Sequence, residues 1–199
     1  SPPISSAFIG DPKDAAVVPP TVRRFTPIRF IATDQSAVSS ISYRIETGPT
    51  RAYESPFTLT NEVDGPTRIY FAGTDMFMNA ETTRTLHVRL DETPPITAFS
   101  LAPSILDAPV SNLIRAGGGY IYAVDSASRV AGVEWTVDGG PSGTGTGPVL
   151  ITNDGTYVIR HRATDTLGNM SSFATNILRV DGTSPSVAIV PSTSLIDGV

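Results

Sequence analysis

Residues 154–169 read DGTYVIRHRATDTLGN, and residues 64–79 have already read DGPTRIYFAGTDMFMN. In the later copy Tyr157, Ile159, His161, Ala163 and Asp165 occupy every second place, the period of a strand with one face buried. Asp154-Gly155 makes the turn into that strand. Thr166 to Asn169 make the turn out of it, because Gly and Asn tolerate left-handed backbone and an Asp side chain accepts hydrogen bonds from the amides that follow. Residues 170–180 then read as the return strand of a hairpin.

Every strand signal has a counterpart 90 to 92 positions away. Ile4–Ile9 matches Ile96–Leu101 as a first strand. Residues 24–33 and 120–124 are second strands, ending in Asp34 and Asp125. Residues 41–45 and 133–137 are third strands carrying Tyr43 and Trp135 at one register. Residues 57–60 match 149–152 as fourth strands, and residues 83–90 match 173–180 as last strands. Pro2-Pro3, Pro94-Pro95 and Pro185 open each unit, and proline there fixes φ and gives a short stiff joint. The spacing predicts repeat one over residues 1–92, repeat two over 93–182 and the first strand of a third repeat over 183–199, an apolar strand at 187–190 that needs a partner.

Composition agrees. With 17 Gly and 17 Pro among 199 residues and no helical periodicity, the chain reads as all-β, many short strands joined by turns. Hydrophobic residues at 40% suffice for packed cores. A net charge of −5 without a basic run weighs against nucleic acid, and no apolar run is long enough to cross a membrane as a helix. The absence of cysteine excludes disulfides, thiolate metal sites and Cys nucleophiles.

Six or seven short strands per repeat, an aromatic on the third and a D-G-x-Y entry to the penultimate one resemble the immunoglobulin-like Greek-key β-sandwich. More narrowly, DGTYVIRHRATDTLGN with RVDGTSP, and GTDMFMN with RLDETPP, resemble the bacterial Ig-like tandem repeats of large cell-surface and secreted proteins. Repeat one departs from the pattern with Thr67 for the tyrosine, Gly73 for the alanine and Met78 for the turn glycine, which leaves its tyrosine-corner hydrogen bond in question. The resemblance implies an extracellular or cell-surface location and a non-catalytic structural role as stalk, sheath, filament subunit or spacer. Its partners would be neighbouring repeats, with homotypic lateral assembly as a further expectation. The alternatives it leaves are an adhesin module binding a glycan or protein through its loops, for instance residues 139–148 or 48–55 with Tyr53, and an accessory domain of a secreted hydrolase.

Candidate chemistry is sparse. Of the two histidines, His161 falls on the inward alternation where repeat one has Phe71, and His87 falls on the outward one, so neither reads as a catalytic base and no enzyme is expected. The run Gly139 to Gly147 lacks the G-K-[ST] of a phosphate loop and reads as a mobile loop, and Gly117 to Gly119 as a place where a strand passes close to its neighbour. No cofactor is expected, with one exception. The loops after the second and penultimate strands should meet the repeat's own entry, gathering Asp91, Glu92, Asp125 and Asp165. Four carboxylates at a joint suit Ca2+, which takes six to eight oxygens. Asp34 and Asp75 would form the corresponding half-site in repeat one, and Asp181 the next linker. The competing reading is that each Asp only caps its turn, since no D-x-D-x-D loop is present.

Overall fold

A computed structural model describes residues 1–101, 113–114 and 117–188. Its regular elements are all strands, β1 (Ile4–Ile9) to β16 (Ala174–Val180), and they form four sheets that make two β-sandwiches of one pattern. In the first, β1 pairs antiparallel with β4 (Ile28–Thr33), and Phe57 bridges to Ile28. The facing sheet runs in the order β2 (Lys13–Asp14), β3 (Thr21–Val22), β8 (Arg84–Leu90), β7 (Gly65–Asp75), β5 (Val38–Ile45), β6 (Arg51–Ala52). In the second, β9 (Ile96–Leu101), β11 (Gly117–Val124) and β14 (Gly147–Ile151) make one sheet. The other is β10 (Leu113–Ile114), β16, β15 (Gly155–Asp165), β12 (Val130–Val137) and β13 (Ser142–Thr144).

In each unit the chain crosses between the two sheets before its last two strands pair antiparallel in one sheet, and a short strand runs parallel to the last one, β3 on β8 and β10 on β16. This is the immunoglobulin-like arrangement that the strand count and turn signals predict. Alternation supplies the cores. Tyr43, Ile69, Phe71, Val88 and Leu90 of one sheet pack against Ile28, Phe30 and Leu59 in the first sandwich, and Val133, Ile159, Ala163, Leu178 and Val180 of one sheet pack against Ile121, Val149 and Ile151 in the second. Burying such side chains supplies the main driving force, about 25 cal/mol per Å² of apolar surface.

Two expectations need correction. Residues 57–60 form no regular strand, only the bridge of Phe57 to Ile28 and a bond from the Leu59 amide to the Arg24 carbonyl. The glycine run is not simply a loop. Its middle forms β13 on the edge of β12, where Gly143 stands opposite Trp135 and a Cβ would lie 2.5 Å from the indole ring. Glycine is what lets the strand pass under that ring. Residues 183–188 belong to no strand, with Val187 exposed, and most of the strand expected at 187–190 lies outside the described residues.

The turn out of the penultimate strand is the same in both units, yet its left-handed residue is Gly168 (φ 90°) in one and Met78 (φ 65°) in the other. A side chain in that conformation costs about 1 kcal/mol, and Met78 is largely exposed, so its side chain returns little packing. Met78→Gly is therefore expected to raise the melting temperature of the first sandwich by a few degrees, the glycine's extra unfolded-state freedom offsetting part of the gain. A thermal scan in which the variant melts no higher than the parent would count against this.

Candidate functional site

The junction between the sandwiches is where the chain's polar chemistry concentrates. The Asp-Gly turns set it up. Asp64 accepts hydrogen bonds from the Glu92 amide (3.1 Å) and the Thr93 hydroxyl (3.0 Å), and Asp154 does the same for the Gly182 amide and the Thr183 hydroxyl. Both linkers are pinned by an Asp that lies 29 residues before the threonine. The threonine hydroxyl holds the Asp154 carboxyl below the usual carboxylate range. Asp91 and Asp181 in turn accept from the Thr93 and Thr183 amides. The D-x-T linker is thus a fixed turn.

The penultimate-strand Asp caps its own turn. Asp165 Oδ1 accepts from the amides of Leu167 and Asn169, and Oδ2 from the Asn169 side-chain amide. Asp75 repeats the pattern with Phe77 and Asn79, and the Asn79 bonds hold its carboxyl below the ordinary range. Asp125 accepts from the amides of Ala127 and Ser128 at 2.9 and 2.7 Å. Turn capping is therefore present at each of these positions.

Three of the four residues expected to meet do so. One carboxylate oxygen each from Asp91, Asp125 and Asp165 lies within 4.8 Å of the others. Asp91 and Asp165 are buried and Asp125 half-buried. Glu92 does not join them. Its carboxylate turns back to Arg23 Nη2 (2.7 Å) and the Arg24 amide (2.8 Å), and the Arg23 guanidinium holds it below the usual range. Arg23 and Arg24 sit just past β3, beside the linker, and the Arg23 guanidinium with the Arg24 backbone amide outcompetes a cluster of like charges. In the first sandwich Asp34 and Asp75 share Ser36, which gives its hydroxyl to Asp34 at 2.6 Å and lies 3.3 Å from Asp75.

The linker is not the junction's only tie. Asp14, on the β2–β3 arm of the first sandwich, reaches across to the second and its side chain is wholly buried there. It accepts from Arg129 Nε (2.8 Å) and Nη2 (3.0 Å), and from the Thr166 hydroxyl (2.8 Å). The Arg129 pairing holds its carboxyl well below the usual range, against the opposing effect of burial. Thr21 of the same arm gives its hydroxyl to the Ala127 carbonyl (3.3 Å), and the Asn169 side chain bonds to the Asp91 carbonyl (3.1 Å). These partners are 78 to 152 residues apart, and sequence spacing offers no signal for them.

Of the residues considered for other chemistry, His161 is buried with Nε2 2.9 Å from Asn176 Oδ1, and His87 is exposed. Tyr53 packs edge-on against Phe30 rather than standing out on its loop. Among the exposed aromatics, Tyr120 and Tyr122 stand together on the outer face of β11 with ring centroids 6.4 Å apart.

No family model matches the chain, and no curated protein matches it. Among solved structures it is similar to fibronectin(III)-like modules of Clostridium thermocellum CbhA, at 13% identity and a TM-score of 0.42, over 88% of this chain and 94% of that one. It is also similar to the D00-D0 domain of intimin, at 14% identity and a TM-score of 0.39, over 89% of this chain and all of the other.

Proposed function

We propose that this chain is a structural spacer of an extracellular bacterial protein, non-catalytic, whose work is to hold successive β-sandwich repeats end to end in a fixed orientation. The observation that carries the reading is the buried tie of Asp14 to Arg129 and Thr166, because a flexible tether would have no need of a charge buried in the neighbouring repeat. The pinned linkers add to it. Strands of 11 residues give each sandwich a long axis of roughly 36 Å along which an array can extend.

The pole of the first sandwich supports an array as well. Leu167 is buried at the junction, whereas Phe77, its counterpart, is 77% exposed between the exposed Met76 and Met78. A pole of three apolar residues suits the end of another sandwich repeat, one whose arm presents apolar side chains in place of Asp14.

Small-angle X-ray scattering on the whole chain at several concentrations tests the reading. The expected curve fits one rigid orientation of two sandwiches, and growth in apparent mass with concentration would add lateral assembly. A curve that requires a broad range of inter-sandwich angles would refute the spacer.

Adhesion is the second reading, favoured by the outward Tyr120 and Tyr122 on a face whose neighbours Ala98, Ser100 and Pro148 carry no charge. Titration with oligosaccharides would then perturb tyrosine fluorescence, and Tyr122→Ala would abolish the change.

A further inference from the structure

We propose that Asp91, Asp125 and Asp165 bind one Ca2+ at the junction, a ligand set that leaves out Glu92. Binding there does not depend on the spacer reading, since an ion could be held whatever the array does. Three observations converge.

The first is geometry. Two oxygens on one Ca2+ at 2.3–2.6 Å lie no more than about 5 Å apart. The three carboxylate oxygens, mutually within 4.8 Å, meet that bound. All three ligands are hard oxygens with no His or Cys among them, which favours Ca2+ over transition metals. The Ser128 hydroxyl, 3.1 Å from Asp125 and 2.9 Å from Asp165, stands beside them as a further oxygen.

The second is an orphaned atom. Asp91 is 2% exposed, its Oδ1 accepts from the Thr93 amide, and its Oδ2 is buried without a hydrogen-bond partner. A buried carboxylate oxygen left bare is costly. Burial raises the Asp91 carboxyl above the usual range; the Ser128 hydroxyl opposes this, and the charges of Asp125 and Asp165 reinforce it. Ser128 cannot discharge the cluster, because one hydroxyl proton serves one acceptor at a time.

The third is that the neighbouring cations are engaged elsewhere. Arg23 feels Asp165 and Asp91 but gives its hydrogen bonds to Glu92, and Arg129 gives its own to Asp14. A cation held by the three would join the linker carboxylate to two loops of the second sandwich. In the first sandwich Asp34 and Asp75 hold the places of Asp125 and Asp165 and share Ser36.

Calorimetric titration and thermal melts of the whole chain, in EDTA, CaCl2 or MgCl2, test this. The affinity expected of such a module is about 10⁻⁴–10⁻³ M. Ca2+ should raise the melting temperature of the second sandwich by several degrees and Mg2+ by less. Asp91→Asn should raise the metal-free melting temperature, by removing the unpaired charge, and abolish the Ca2+ shift. Asp125→Asn should also abolish the shift, and Asp34→Asn should keep it in full. The proposal is overturned if the parent chain shows neither heat nor shift at saturating Ca2+, or if Asp91→Asn retains the shift.

Discussion

Gly118→Ala is expected to unfold the second sandwich at temperatures where the first remains folded. Gly118 lies on β11 opposite Leu150 of β14, and a Cβ built on it would stand 1.7 Å from the Val149 carbonyl oxygen and 2.7 Å from its carbon. Both atoms are backbone, so no rotamer change relieves the collision. The strands must separate, which breaks the β11–β14 ladder and uncovers Val149, Ile151 and Ile121, three members of the core. Overpacking that forces backbone shifts costs about 3 kcal/mol or more. At about 4–8 °C per kcal/mol for a domain of this size, the second transition should fall by more than 10 °C. Calorimetry resolves it: a variant whose two transitions stay within a couple of degrees of the parent's would show that the two strands do not approach as described.

Asp14→Ala is expected to uncouple the two sandwiches without unfolding either. Charged hydrogen bonds to a buried carboxylate contribute about 1.5–3 kcal/mol, and because Arg129 keeps 60% of its side chain in solvent, the loss should sit near the lower end. That energy belongs to the interface and to neither core, so it should appear as separation of two melting transitions and as a wider range of angles in scattering. The pH dependence follows from the depressed carboxyl of Asp14. A carboxylate whose folded pKa lies below its unfolded one stabilises fully above the unfolded value, about 4, and loses that contribution as pH falls toward the folded value. Coupling should thus persist from neutral pH to about 4 and weaken below it. Asp91 acts in the opposite sense: its raised carboxyl makes the ionised form a liability that acid relieves. In Asp91→Asn the loss of coupling below pH 4 should therefore stand out more clearly, whereas Asp14→Ala, uncoupled already at neutral pH, should change little further on acidification. An Asp14→Ala chain that stayed coupled at neutral pH and lost coupling below pH 4 would assign the acid dependence to some other group.

Much of this was legible in the residues themselves. Period-2 alternation in residues 64–79 and 154–169 located β7 and β15, and the offset of about 91 residues located most of their companions. The tyrosine corner also followed from the pattern, Tyr157 giving its hydroxyl to the Asn153 carbonyl at 3.0 Å while Thr67 reaches only its own turn. The glycines at 117–119 were readable as a close approach because few other reasons place three together in a strand. Residues 57–60 misled because an apolar run can be satisfied by one bridge and burial of Phe57 and Leu59, without a ladder.

The long strands, their turns and the doubling of one β-sandwich plan could be read from the residues, because they rest on alternation and turn chemistry within a few residues of each other, whereas the short strands such as β3 and β13 could not. Packing of the sandwiches is what sends Glu92 from the acidic group to Arg23, leaves Asp91 with a bare buried oxygen and buries Asp14 against Arg129. Each of those outcomes is a competition among charges far apart in the chain, and the winner is set by which groups the packed sandwiches bring within about 3 Å of one another.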